Sequence, residues 1–161
     1  IDLLASGSMM QQVLLAAEQL EQLGHAPAIW SVTSYVELAR EAETCEREAR
    51  LRPMQPRSVP YVESLFKEMR GPVIAVTDYL KSLPASIARW MPDSYTVLGT
   101  DGFGLSESRD ELRDHFEVSA RHIVQAALVE LYRQGCISEK EMREQLDPLG
   151  VDPQKADPAQ A

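Results

Sequence analysis

Short apolar runs alternate with amphipathic helical segments along this chain from its first residue, and that alternation constrains the fold more than any other feature. Residues 1–6 (IDLLAS) form one apolar run. Beyond Gly7 and Ser8, Met9, Val13, Ala16, Leu20 and Leu23 recur at spacings of four and three, the stripe of an amphipathic helix that Gly24 stops. Residues 26–32 (APAIWSV) form a second run, and a helix opening at Ser34 carries Tyr35, Leu38 and Ala42 on one face. Further strands are expected at 72–76 and 95–98. Further helices are expected at 61–70, at 80–91 around Pro84, from about 109 to 116, at 120–134 and at 138–146.

The helix starts support this segmentation independently. Ser8/Gln11, Ser34/Glu37, Ser108/Glu111 and Ser138/Glu141 all have the Ser-x-x-Glu/Gln spacing. In that spacing the hydroxyl accepts a free amide of the first turn while the acid or amide reaches back. Strands separated by helices on short loops imply a mainly parallel sheet covered on both faces, so the expected class is a three-layer α/β/α domain with four strands. The domain is placed at residues 1–151. Asp147-Pro148, Asp152-Pro153 and Asp157-Pro158 keep the residue before each proline out of the α region. The tail, including an arm at 152–161, is therefore expected to be extended along the surface.

Charge narrows the functional classes. Sixteen Lys and Arg against 25 Asp and Glu leave a net charge of −9, which disfavours general binding to a phosphate backbone. No apolar run approaches the roughly eighteen residues of a membrane span. Nothing resembles a secretory leader, and Ile1 lies inside an apolar run, as expected of a piece of a longer protein. Cys45 and Cys136 stand far apart in no metal-ligand spacing, which fits a reducing, cytoplasmic setting and no zinc site.

No catalytic constellation assembles from the remaining residues. Ser6-Gly7-Ser8 joins a strand to a helix but lacks the further glycines of a dinucleotide fingerprint and the Lys-Ser/Thr of a phosphate loop. It reads as a turn that lets helix and strand approach. Gly99, Gly102 and Gly104 fall within six residues, in Gly-Thr-Asp-Gly-Phe-Gly, and demand special backbone angles or a close neighbour. Asp101 in that stretch has no second carboxylate or His with a forced position beside it, so an interface role stands beside the structural one. His115 and His122, seven apart, are separated by a helix break at Val118-Ser119 and are expected to be exposed or capping. His25 is expected on a loop surface. The charged run 41–48 reads as a solvated helix face with i,i+4 pairs, or as a docking surface.

Several of these motifs carry a resemblance. Ala5-Ser6-Gly7-Ser8 is similar to the turn that opens the C-terminal domain of transketolase-like thiamine diphosphate enzymes. The stretch from Gly99 to Ser106, followed by Leu112 and His115-Phe116, resembles that domain's Asp-x-Phe-Gly-x-Ser signature. Ser31-Val32-Thr33-Ser34-Tyr35 with Glu37-Leu38-Ala39-Arg40 and Cys45-Glu46-Arg47, and Val59-Pro60-Tyr61 with Thr77-Asp78-Tyr79, narrow it to the decarboxylase component of homodimeric, bacterial-type pyruvate dehydrogenases. The chain departs from that family after Arg47. Glu48, Ala49 and Arg52 stand where an aromatic, an Asn and a His are common, so contacts made there in the family are not carried over.

The resemblance implies a parent enzyme that uses thiamine diphosphate and Mg²⁺ to decarboxylate pyruvate and acetylate the lipoyl group of the dihydrolipoamide acetyltransferase component. It places the cofactor between the two preceding domains, so no catalytic, cofactor-binding or metal residue and no bound cofactor is expected here. It also implies a transketolase C-terminal-domain-like fold whose first, antiparallel strand precedes Ile1. The implied partners are the chain's own upstream domains, a second copy and the acetyltransferase. The candidate interdomain or dimer-interface residues are Asp101, Phe103, Ser106, Arg109 and His115. Docking of the acetyltransferase is the alternative role, and a related 2-oxo acid dehydrogenase or a transketolase the alternative parent.

Overall fold

A computed structural model describes residues 1–160. Four strands, β1 (Asp2–Ala5), β2 (Ala28–Ser31), β3 (Val73–Val76) and β4 (Tyr95–Leu98), form one sheet in the order β2-β1-β3-β4. Every pairing is parallel and in register, with Leu3 opposite Ile29 and Ile74, and Ala75 opposite Val97. A parallel sheet needs a crossover between successive strands, and the helical segments supply it. These are α1 (Met10–Gln22), α2 (Tyr35–Leu51), α3 (Tyr61–Phe66) and α4 (Ser82–Ala85) between strands, then α5 (Arg109–His115), α6 (Ala120–Arg133) and α7 (Glu139–Leu146).

Alternation along the strands divides the interior into two cores. Leu3, Ala5, Ile74 and Val76 face α1 and α6, where Val13, Ala16, Leu20, Ile123, Ala127 and Leu128 are fully buried. Leu4, Val73 and Ala75 face the opposite layer and meet Tyr35, Ala42, Val62, Phe66, Ile87 and Trp90. Both faces are thus covered, and the three-layer expectation holds. Ile123, Ala127 and Leu131 are buried, as the periodicity of α6 requires.

Several local expectations are corrected. The helix expected at 61–70 ends at Phe66, and residues 67–68 form a turn ahead of Pro72. The segment expected as one helix at 80–91 is two short pieces, α4 and a 3₁₀ turn at Ala88–Trp90. The Pro84 carbonyl accepts the Tyr95 hydroxyl at 2.9 Å as well as the Ile87 amide at 3.4 Å. Ser34, Ser108 and Ser138 cap their helices, and the last two complete the reciprocal box with Glu111 and Glu141. Ser8 makes no such cap, because its hydroxyl donates to Asp78 instead, at 2.7 Å.

The charged run of α2 is more engaged than a solvated face. Arg57 bridges Glu46 at 2.6 Å and Glu63 at 2.8 Å, and Arg89 reaches Glu46 at 3.3 Å. Glu41 accepts the Tyr61 amide at 3.0 Å and the Cys45 thiol at 3.3 Å. These contacts pin the proline-rich segment 52–60 between α2 and α3. The Arg57 guanidinium holds both the Glu46 and Glu63 carboxyls below the ordinary range.

The tail is not the extended arm that its Asp-Pro repeats suggested. Asp147–Leu149 is a 3₁₀ turn, and residues 153–154 and 158–160 make further turns. The ammonium of Lys155 donates to the carbonyls of Asp114 and His115, which folds the tail onto the end of α5.

Candidate functional site

In a parallel sheet the loops that leave the strands' carboxyl ends share one edge of the domain. Here these are the turn after β1, the turn after β3 and the glycine loop 99–104 after β4, with α5 beside them. The loops are tied together by short bonds. Thr100 N–H donates to the Tyr79 carbonyl at 2.9 Å, and its hydroxyl donates to the Asp78 carbonyl at 2.9 Å. The Asp101 carboxylate accepts the Lys81 amide at 2.9 Å. A Cβ at Gly99 would sit 2.9 Å from both Lys81 N and Tyr79 O, so only glycine permits this approach.

Asp101 is therefore engaged in holding the 78–81 turn and is not a free base. Phe103 projects from the same loop and is 84% exposed, far more than a side chain of that size ordinarily is. Tyr79 (65%), Leu80 (56%) and Leu105 (49%) on the same loops are also exposed. The edge thus carries a group of apolar side chains without cover in this chain.

Ser106 and Arg109 are exposed, and Arg109 lines a cleft between the loops and α5. His115 lies at the far end of α5, half-buried, its ring edge-on to Phe116 at 4.8 Å. Of the five candidate residues, Asp101 and Phe103 belong to the glycine loop, Ser106 to the link that follows it and Arg109 to the start of α5, while His115 serves the tail contact through its carbonyl.

The other histidines depart from expectation. His122 is buried at 4% exposure, not on the surface, and its Nδ1 lies 2.8 Å from the Ser119 hydroxyl. That hydroxyl donates to Asp114 at 2.7 Å, which leaves Nδ1–H as the donor to Ser119. Burial, then the charges of Lys155 and Arg121, push the His122 pKa below the usual value. His25 is half-buried and bonded to Gln145 at 2.9 Å.

Sequence reasoning missed Arg113. It lies one helical turn after Arg109, so both guanidinium groups lie along one face of α5 and line the cleft. It also missed the Ser8–Asp78 bond and the anchoring role of Lys155.

Comparison with known proteins agrees with this architecture. The family model described as the transketolase-like TK C-terminal domain matches residues 1–119. The chain belongs to that family. It is 41% identical to the pyruvate dehydrogenase E1 component of Escherichia coli K12 over 98% of this chain, and 43% identical to that of Pseudomonas aeruginosa over the same share. The Haemophilus influenzae protein of the same name is 38% identical over 100% of the chain. In each case the chain spans 18% of the relative's length. A solved structure described as a split gene transketolase, inactive beta4 tetramer, superposes with a TM-score of 0.53 at 20% identity. It covers 81% of this chain and 39% of the other, a likeness of fold. In this chain the strand-to-helix turn at Ser6-Gly7-Ser8 and the loop at 99–104 lie at one edge of the sheet.

Proposed function

We propose that this chain is the C-terminal structural and assembly domain of a pyruvate dehydrogenase decarboxylase component. The observation that carries this is the identity of 38–43% with pyruvate dehydrogenase E1 components, sustained across 98–100% of the chain. The exposed apolar edge around Phe103 supports an assembly role, since such a surface on an α/β domain calls for a covering partner. The covering partner is the remainder of the polypeptide, which in the relatives makes up most of the length, or the second copy in a homodimer. An antiparallel strand before Ile1 would extend the sheet.

In the parent enzyme, thiamine diphosphate with Mg²⁺ supplies the electron sink for loss of carbon dioxide from pyruvate, and the acetyl unit passes to the lipoyl group of the dihydrolipoamide acetyltransferase. The residues here do not fit that group. The edge carboxylates Asp78 and Asp101 are already held by Ser8 and by the Lys81 amide. Among the described residues no group of three or more His, Cys, Asp or Glu is placed to hold a metal ion. No cofactor contact is assigned to this chain, and the chemistry belongs to the domains it braces. Among the described residues, no helix is long and apolar enough to cross a membrane, and a cytoplasmic enzyme complex is the proposed setting.

The test is carbon dioxide release by the intact polypeptide that carries this chain, supplied with pyruvate, thiamine diphosphate and Mg²⁺. Release of carbon dioxide with acetylation of added lipoamide is expected. No release from pyruvate or from any other 2-oxo acid would overturn the enzyme reading.

A further inference from the structure

We propose that the C-terminal tail, residues 151–160, is a strap that sets the conformation of the glycine loop and thereby controls how the Phe103 edge meets its partner. Control of the loop stands on contacts within this chain. Its consequence for assembly rests on the reading of that edge as an assembly surface.

The Asp-Pro repeats build the strap. Asp152 and Asp157 each open a turn in the same way. The Asp152 carboxylate accepts the Gln154 amide at 2.8 Å, and its carbonyl accepts the Lys155 amide at 3.3 Å. The Asp157 carboxylate accepts the Ala159 amide at 2.9 Å, and its carbonyl accepts the Gln160 amide at 2.9 Å. Proline at the second position fixes φ near the value such a turn needs, so two stiff turns stand in series. Val151, Lys155 and Pro158 are half-buried, while the residues between them are exposed. One face of the tail therefore lies on the domain.

Each turn makes one anchor. The first presents Lys155, whose ammonium donates to the Asp114 and His115 carbonyls at the end of α5 and pairs with Glu117. The second sets the Pro158 carbonyl against Gly102, where a Cβ would lie 2.5 Å from that oxygen, so the tail seats only against glycine. Gly102 immediately precedes Phe103. The loop has few other holds. Thr100 and Asp101 tie its start to the turn after β3, and the Ser108 cap fixes the beginning of α5. Among the described residues, no backbone group of residues 102–107 makes a hydrogen bond. A segment held so sparsely opens at low cost, so the contact at Gly102 decides which conformation presents Phe103. Releasing Lys155 breaks contacts at the surface and none in either core. The seated and released tails are thus two states of one folded domain.

The experiment places 4-trifluoromethylphenylalanine at position 103 of the intact polypeptide and records its fluorine resonance. The dimer dissociation constant is measured by sedimentation on the same samples. In Lys155→Met, and in a polypeptide ending at Gly150, a second, narrow resonance from a loop averaged in solvent is expected. The dissociation constant should rise about tenfold in both. Ser34→Ala removes a helix cap on α2, away from the tail, and lowers stability without touching the strap, so its resonance should stay single. A single, unmoved resonance in both tail variants would overturn the strap, as would the same second resonance in Ser34→Ala. A new resonance with an unchanged dissociation constant would overturn the link to assembly. A parent polypeptide that stays monomeric would overturn the assembly reading instead, and the resonance would still decide the strap.

Discussion

The ammonium of Lys155 lies 2.6 Å from the carbonyl oxygen of Asp114, so the C-terminal tail caps the last turn of α5. It also donates to the His115 carbonyl at 2.7 Å and pairs with Glu117 at 3.4 Å. Those carbonyls are among the last four of the helix, which have no acceptor role within it and carry its negative dipole end. Glu117 follows with φ +59, a left-handed conformation that a non-glycine residue adopts at some cost. The Val118 amide bonds back to the Arg113 carbonyl at 2.9 Å, so the turn closes as a Schellman motif with Glu in the place usual for glycine.

Lys155→Met removes three polar contacts while retaining the aliphatic stem. It is expected to destabilise the domain by about 1–2 kcal/mol, the worth of charge-assisted bonds at a helix end. Chemical denaturation checks the magnitude. Limited proteolysis should cut sooner within 150–160, and an unchanged cutting rate would show that the tail is held by other contacts.

Gly102 and Gly104 make a matched pair. Gly102 has φ +118, and a Cβ there would meet the Pro158 carbonyl oxygen at 2.5 Å. Gly104 has open space around it. Gly102→Ala should therefore cost about 1–3 kcal/mol through backbone strain and displacement of the tail. Gly104→Ala should stay within about 0.5 kcal/mol of the parent. Equal melting temperatures for the two variants would contradict the contact between loop and tail.

His122 makes stability depend on pH in a definite direction. Its folded pKa is depressed, first by burial and then by Lys155 and Arg121, against the weaker opposing pull of Asp114 and Glu117. The unfolded chain therefore binds the proton more readily than the folded one. Its contribution is complete above the unfolded value of about 6.5 and is lost as pH falls through the folded value. His122→Gln should flatten the denaturation midpoint between roughly pH 6.5 and 5. A slope unchanged by that substitution would assign the acid sensitivity to carboxylates instead.

Elements with strong periodicity were legible in the sequence. The stripe of α6, the α1 stripe and the boxes at Ser108 and Ser138 each depend on residues a few positions apart, and each appears as expected. What was not legible depends on distant partners. Ser8 has the spacing of a cap, but Asp78, seventy residues on, takes its hydroxyl. Lys155 folds back a tail whose prolines argue for extension, through carbonyls forty residues away. At the candidate site the glycines announced an unusual loop, and the exposure of Phe103 fits that reading. Arg113 gave no such signal, because the burial of a helical arginine depends on how α5 settles against the loops.

The central claim is that the edge bearing Phe103 is an assembly surface. Hydroxyl-radical footprinting of the intact polypeptide tests it directly, with oxidation at Phe103 and Tyr79 read by mass spectrometry. Both side chains are largely exposed on this domain, so protection must come from a covering partner. Oxidation several-fold slower than at the exposed Met54, after correction for intrinsic reactivity and for exposure, is the predicted result. Oxidation of Phe103 at the rate of a fully exposed phenylalanine would contradict it.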